Sequence, residues 1–233
     1  MPLATGTSGF AFKEWKGPFY PEKLPDKDML PYYAERFAAV EINNTFYRMP
    51  RESVLTGWAE LVPPGFRFCL KAPQKITHIK RLQDVGDEVG YFLRVASVLG
   101  ERLGPTLFQL PPTLKKDLPR LEAFLALLPR RWHAAIEFRH ASWFDDGVFA
   151  LLRAKDVALC VADTEDLETP LVATADWGYV RLHREAYADD ALIAWAGRLR
   201  ETAWIDTFVF FKHDHDKTGP AAARRFADML GAG

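Results

Sequence analysis

Three short segments alternate apolar residues with residues that could carry out chemistry. They read Val40-Glu41-Ile42-Asn43, Ile136-Glu137-Phe138-Arg139 and Val180-Arg181-Leu182-His183. Successive side chains of a strand point to opposite faces, so the polar residues of each segment share one face. A face that carries carboxylates, guanidinium groups and an imidazole predicts acid/base chemistry together with the binding of an anion.

Four of these polar residues are candidates for catalysis. Glu41 and Glu137 lie in different segments and could flank a ligand, one ionised and the other protonated, as in acid/base pairs with separated pKa values. His183 is an alternative general base, because imidazole titrates near neutral pH. Asp163 ends a further apolar segment in a similar way. We expect all four side chains to approach one cavity.

Six more polar residues at the ends of predicted strands are candidates for ligand binding: Asn43, Lys71, Gln109, Arg139, Arg181 and Lys212. The cations among them suit a phosphate or carboxylate group. In the structural alternative, each arginine only pairs with a glutamate or with Asp163, and a buried ion network closes the fold. Burying several charges costs more than apolar filling, which favours a role in binding or catalysis.

The same region also contains the donor types of a divalent-metal site, because His183 accompanies Glu41, Glu137 and Asp163. The neighbouring cations would repel a metal ion. The sequence therefore predicts no metal ligands and no cofactor, and a divalent metal is the less favoured alternative. The acidic and histidine residues at positions 213–216 are interpreted as a solvated loop.

Eight apolar or alternating segments are separated by amphipathic stretches with helical spacing, such as DDGVFALLRAKD. The predicted strands are Ala4–Ser8, Ala39–Asn43, Arg67–Lys71, Pro105–Gln109, Ala134–Phe138, Val157–Val161, Tyr179–His183 and Phe208–Lys212. This pattern predicts an α/β fold with a single (β/α)8 TIM-like barrel, which need not be regular, over residues 1–233 as one domain. Such barrels build their sites at the C-terminal ends of the strands, where the candidate residues occur.

The composition of the chain limits the kinds of partner that we expect it to bind. The chain has 233 residues, 48% of them hydrophobic, and a formal charge of -1, so the net charge gives no support to nucleic acid as a partner. The N-terminal segment lacks the pattern of a secretory signal and no segment has the apolar length of a membrane span, so we expect a cytoplasmic protein without a membrane partner. Cys69 and Cys160 lie in apolar segments and are expected to be reduced core residues.

Several of these segments are motifs of a known family. The motifs are GTSGFAFKEWKGPFYP, VEINNTFYRMP, FRFCLKAPQKITH, LFQLPP, AIEFRHASW, VALCVAD, YVRLH and FVFF, in order over roughly residues 5–230. The chain thus resembles the YecE-like family, also called domain of unknown function 72, which implies a barrel-like β/α fold and no settled activity. One departure is Lys212-His213, where the family commonly has a pair of asparagines after the last strand.

The function predicted from these residues is an enzyme that uses acid/base chemistry on a small polar, anionic ligand, such as a phosphorylated or sugar-like compound, at the C-terminal ends of the strands. Hydrolase, lyase and isomerase reactions all fit. One alternative is a metal-assisted hydrolase or nuclease. Another is a non-catalytic module that binds a metabolite or nucleic acid. The sequence makes no prediction of oligomeric state.

Overall fold

The computed structural model describes residues 3–212 and 218–231, which form eight parallel strands connected mostly by helices. The strands are β1 (Leu3–Thr7), β2 (Ala39–Ile42), β3 (Arg67–Leu70), β4 (Thr106–Gln109), β5 (Ala134–Glu137), β6 (Ala158–Asp163), β7 (Trp177–Leu182) and β8 (Asp206–Phe211). The α-helices are α1 (Met29–Ala34), α2 (Glu52–Glu60), α3 (Gly86–Ala96), α4 (Leu118–Ala126), α5 (Asp146–Arg153), α6 (Asp189–Arg200) and α7 (Gly219–Leu230). Each predicted strand segment overlaps one of these strands.

The prediction of a (β/α)8 TIM-like barrel is wrong. Six strands form an open parallel sheet in the order β1-β8-β7-β6-β5-β4, and β2 and β3 form a separate two-stranded sheet. The connection from β6 to β7 also lacks an α-helix, although all its residues are described. The fold is therefore an α/β half-barrel with an additional strand pair, and the ladder of hydrogen bonds is interrupted twice.

The first interruption lies between β1 and β2, where a side chain replaces the ladder. The hydroxyl of Tyr33, from α1, accepts a hydrogen bond from the Thr7 backbone N–H at 2.8 Å and donates to the Ala39 carbonyl at 3.2 Å. The strands approach closely at Gly6, where a Cβ would lie 2.0 Å from the Ala39 oxygen. Tyr33 thus connects the two sheets through one hydroxyl group.

The second interruption lies between β3 and β4, where the register changes by one residue. Phe68 pairs with Leu103, and Lys71 pairs with Leu107. The segment that leads into β4 therefore has one more residue between the two bridges than the β3 segment has. Pro105 lies inside this stretch and has no N–H to donate. A continuous ladder cannot form across such an offset, and the two isolated bridges take its place.

The two faces of the strands bury different side chains, as their alternation predicts. The concave face combines small residues, such as Ala135 and both cysteines, with the rings of Trp177, Tyr179 and Phe210. A larger apolar cluster fills the space between the strands and the helices. Cys69 and Cys160 are fully buried as predicted, and burial raises the pKa of both thiols well above the ordinary value. None of the described helices has the length and apolar character needed to cross a bilayer.

We predict that Tyr33→Phe lowers the free energy of unfolding by about 1–3 kcal/mol, because the buried Thr7 N–H loses its acceptor. Urea denaturation measures the change. Tyr32→Phe is the matched control on the same helix, since the Tyr32 hydroxyl has no hydrogen bond to the described part of the chain, and its effect should stay within about 0.5 kcal/mol. Equal effects of the two substitutions would contradict the bridging role of Tyr33.

Candidate functional site

The guanidinium group of Arg181 lies between two buried carboxylates at the C-terminal ends of the strands. Its Nη2 and Nε donate to the two oxygens of Glu41 at 2.8 and 2.9 Å, and its Nη1 donates to Oε2 of Glu137 at 2.5 Å. Both glutamates have no exposed surface, and Arg181 is 3% exposed. These three residues come from β2, β5 and β7, so one cation joins three strands.

Glu41 is satisfied by further donors. Ser8 donates its hydroxyl proton to Oε1 at 2.7 Å, Asn43 donates from its amide to the same oxygen at 3.0 Å, and Tyr179 donates to Oε2 at 2.8 Å. Burial raises the pKa of Glu41, but the charge and hydrogen bonds of Arg181 outweigh it, and the pKa is lowered overall. Glu41 is thus an ionised carboxylate that already accepts five hydrogen bonds.

Glu137 is held in the same way. Its Oε1 accepts from Gln109 Nε2 at 2.9 Å and from Arg139 Nε. Burial raises its pKa, but Arg181 and then Arg139 lower it more, to about 2. A protonated Glu137 would lose these charge-assisted interactions, so it is unsuited to act as a general acid near neutral pH.

Lys71 lies beside this network without joining it as an ion pair. Its amine donates to Gln109 Oε1 at 2.8 Å and lies 4.4 Å from the centroid of the Phe46 ring. No described carboxylate lies within 4 Å of the amine. Burial first, and then the charge of Arg181, lower the pKa of Lys71 to about 8. Lys71 is therefore a half-buried amine with no carboxylate partner.

His183 is connected to Glu41 through Ser8. The Ser8 hydroxyl gives its proton to Glu41, so in its 3.0 Å contact with His183 it accepts from Nε2–H. This arrangement sets the tautomer and makes Nδ1 the basic nitrogen of the ring. Burial, followed by the charge of Arg181, lowers the pKa of His183 well below its ordinary value, so the ring is neutral at physiological pH.

A cavity of about 370 Å³ opens next to His183. Its polar lining includes Ser8, Asn43, Asn44, His183 and Lys212, and its aromatic lining consists of Phe10, Phe12 and Trp58. The loop after β1 forms one wall because Gly9 has a φ of 112°, which brings the Phe12 ring to a position that a Cβ at Gly9 would obstruct. The Asn43 side-chain oxygen is buried and accepts no hydrogen bond from the described residues.

The prediction that Asp163 shares this cavity is wrong. Asp163 accepts hydrogen bonds from Arg184, Tyr187 and Trp195 at 2.6, 3.0 and 3.0 Å, and Trp195 belongs to α6. The carboxylate therefore lies on the helix-facing side of β6. The sequence contains the signal, because Asp163 is in phase with Val161 and not with Cys160 of the concave face.

The structure brings the other sequence-predicted residues to the same end of the strands. Seven of them form a connected hydrogen-bond network around Arg181: Glu41, Asn43, Lys71, Gln109, Glu137, Arg139 and His183. Lys212 lines the cavity after β8. The proposed solvated loop at positions 213–216 lies outside the described residues.

The sequence interpretation missed Ser8 and Tyr179, which donate directly to Glu41. Tyr179 is in phase with Arg181 on β7, so the same alternation could have identified it. Ser8 follows β1 and is in phase with Ala4 and Gly6, so alternation with polar residues gives no signal for it. It also missed the cavity rings Phe10, Phe12 and Trp58. Other aromatic residues of the loops after β1 and β5, among them Trp15, Tyr20 and Trp143, are fully buried in the core.

The potential metal donors are arranged differently from a metal site. In the described ranges, no group of three or more histidine, cysteine, aspartate or glutamate side chains converges as metal ligands would. The oxygens of both glutamates already accept from arginine, and Asp163 lies on the other face of the sheet. This donor set gives no support to the metal-assisted alternative.

A sequence profile of the family described as "Protein of unknown function DUF72" matches residues 4–233. The chain belongs to the DUF72 family. The resemblance to YecE-like proteins drawn from the motifs is thereby confirmed. UPF0759 protein YecE of Escherichia coli strain K12 is 39% identical over 119 residues, which cover 51% of the DUF72 chain and 44% of that relative. UPF0759 protein YunF of Bacillus subtilis strain 168 is 28% identical over 134 residues, which cover 54% of the DUF72 chain and 47% of that relative.

The alignments therefore span less than half the length of these two curated relatives. Among solved structures, a DUF72 family protein (TM1631) from Thermotoga maritima MSB8 has a TM-score of 0.89 and 30% identity, over 99% of this chain and 100% of that one. A DUF72 family protein from Enterococcus faecalis V583 has a TM-score of 0.83 at 17% identity, over 98% and 95%, which shows a shared fold. Membership of this family leaves the activity to be argued from the site.

We predict that Arg181→Met lowers the free energy of unfolding by about 3–5 kcal/mol, because it leaves two buried carboxylates unpaired. Adding Glu41→Gln and Glu137→Gln should recover a large part of the loss, since no unpaired charge then remains. Urea denaturation near neutral pH compares these variants. Arg225→Met, which removes an exposed cation paired with Asp189, is the control and should change stability by less than about 1 kcal/mol. A triple variant as unstable as the single one would refute this explanation.

Proposed function

We propose that this DUF72 chain is an enzyme that binds a small anionic compound at the C-terminal ends of the strands and moves a proton through His183. One observation carries the proposal: a neutral imidazole of defined tautomer lines a cavity beside cationic side chains. A base with a lowered pKa in a cavity is a common feature of catalytic sites. The reaction class stays open.

The arrangement favours His183 over the glutamates as the acid/base group. Glu41 and Glu137 accept hydrogen bonds at both oxygens and are ionised, so neither has a proton to give, and the charge of Arg181 opposes the protonation of either one. Their separation is spanned by Arg181, which also counts against a two-carboxylate mechanism with a ligand between them. Their part in the proposed enzyme is to hold Arg181 and, through Ser8, to orient His183.

The proposed ligand is anionic because the cations at this site exceed the carboxylates. Both glutamates form ion pairs with Arg181. Lys71, in contrast, has no carboxylate partner in the part of the chain that the structure describes. The charge of Arg181 lowers the pKa of Lys71 more than Glu41 raises it. A bound phosphate or carboxylate group would relieve this repulsion.

We predict that the affinity for sulfate decreases as the pH rises through about 8, because Lys71 loses its charge there. Sulfate itself does not titrate in this range. The affinity should fall between about pH 7 and about pH 9.5, as measured by calorimetry, while Glu41, Glu137 and Arg181 keep their charges throughout.

Lys71→Met should weaken sulfate binding and remove the pH dependence. Lys75→Met, which removes an exposed cation paired with Glu88, is the matched control and should behave like the natural protein. Sulfate binding that is unchanged in Lys71→Met would contradict the proposed role of Lys71.

We predict that His183→Gln reduces kcat/KM by about 100-fold or more on any compound that the enzyme turns over, while Kd stays nearly constant. Glutamine can still donate to Ser8 but cannot take up a proton. The substrates would come from a turnover screen of phosphorylated and carboxylated compounds. His140→Gln is the control, because His140 accepts a hydrogen bond within its own turn, from the Ser142 N–H.

Two outcomes would overturn this assignment. Full activity of His183→Gln would show that the ring is not the proton carrier. Binding across the compound panel without turnover of any member would favour the alternative of a non-catalytic binding module.

A further inference from the structure

A group of cationic and imidazole side chains lies around the ring of Phe46 at the same end of the strands. The Lys71 amine lies 4.4 Å from the centroid of this ring, and the centroid of the His78 ring lies 4.8 Å from it. Arg139 reaches Lys71 through Glu137 and Gln109. Lys71, His78 and Arg139 are all half-buried and therefore accessible to a ligand.

His78 belongs to an unusual stretch of backbone. A π-helical turn spans Lys75–Ile79, and Arg81, Leu82 and Asp84 follow with positive φ values of 50°, 66° and 46°. Both features are uncommon and are found often at functional sites. The buried Leu82 side chain anchors this segment in the core, and Arg81 extends from it to the Thr113 hydroxyl at 3.3 Å. The segment thus holds His78 and Arg81 at the edge of the site.

This cluster carries more positive than negative charge. The two buried carboxylates Glu41 and Glu137 lie among three cations, Lys71, Arg139 and Arg181. The exposed Arg81, whose charge acts on His78, is a fourth cation at the edge of the cluster. Two positive charges are therefore uncompensated among the described residues. The repulsion acts on His78 as well, whose pKa is lowered by burial and then by Lys71, Arg139 and Arg81. A dianion would neutralise this excess.

The cavity and the cationic cluster are neighbours because one turn separates them. In the 3-10 turn Asn44–Phe46, Asn44 lines the cavity while Phe46 contacts Lys71 and His78. His183 lines the cavity and is also subject to the charges of Arg139 and Lys71. On the cavity side, the rings of Phe10, Phe12 and Trp58 line the space that a ligand would fill.

We infer that the ligand has two parts: a dianionic oxyanion, such as a phosphate monoester, bound by the cationic cluster, and a flat ring bound in the aromatic cavity. The inference rests on the proposed function and specifies its substrate class. Lys71, His78, Arg81 and Arg139 would select the charge. Phe12 and Trp58 would pack on the ring.

Calorimetry with inorganic phosphate, phenyl phosphate and phenylacetate tests both parts of this ligand. Phenyl phosphate should bind at least about tenfold more tightly than phosphate, because the ring removes apolar surface from water. It should also bind at least about tenfold more tightly than phenylacetate, which carries one charge. Lys71→Met should weaken phosphate and phenyl phosphate alike.

Substitutions in the cavity should affect only the ring. Phe12→Leu and Trp58→Leu should each bring the affinity for phenyl phosphate toward that for phosphate and leave the affinity for phosphate unchanged. Tyr91→Leu, which alters an exposed ring on α3, is the control and should change neither. Two ring variants are used so that a folding defect in one does not decide the result.

Different results of these experiments would contradict different parts of the inference. If phenyl phosphate binds no more tightly than phosphate, or if neither ring variant changes the ratio, the two-part ligand is wrong while the anion site of the proposed function stands. If phenylacetate binds as tightly as phenyl phosphate, the inference that the ligand carries a dianion is wrong. Phosphate binding that does not depend on Lys71 would remove both the cationic subsite and the anion binding on which it rests.

Discussion

The ion pairs of Arg181 with Glu41 and Glu137 connect the two sheets of this fold. Glu41 belongs to the strand pair β2–β3, whereas Arg181 and Glu137 belong to the six-stranded sheet. No backbone ladder crosses from β1 to β2. The guanidinium group replaces it at the C-terminal ends of the strands, and the Tyr33 hydroxyl joins the end of β1 to the start of β2. The geometry of every group at the site depends on this cation, because Ser8, Gln109 and Arg139 all bind its carboxylate partners.

The ion pairs of Arg181 also distinguish the charged residues with a structural role from those that are available for chemistry. Sequence reasoning treated Glu41 and Glu137 as catalytic and considered a purely structural ion network as the alternative. For the glutamates the contacts match the structural alternative, because their oxygens are already occupied. Apolar residues often stabilise a core as well as a buried ion pair does, so the retention of these charges is better explained by what they position. Lys71 and His183, which have no carboxylate in direct contact within residues 3–212 and 218–231, are left to act on a ligand.

Much of the site could be predicted from strand alternation, but the two interruptions of the sheet could not. Alternation places Glu41, Glu137 and Arg181 on the concave face, and applied to β6 it would have excluded Asp163. The breaks in the sheet arise from long-range details: a hydroxyl from α1 that reaches Ala39, and a one-residue offset around Pro105. A pattern of eight strand-helix units contains neither, because each depends on how distant segments meet. The aromatic cavity was missed because its rings belong to a loop and a helix.

The two interruptions have a consequence for the way the molecule opens. The strands β2 and β3 are held to the rest of the sheet by side chains and by bridges at the ends of β3, so they can separate without breaking a full ladder. Their amide protons should accordingly exchange with solvent together and ahead of those in β7 and β8, as a cooperative unit. Since this unit carries Glu41, Asn43 and Lys71, its excursions would change the width of the site and could set the rate at which a ligand enters or leaves.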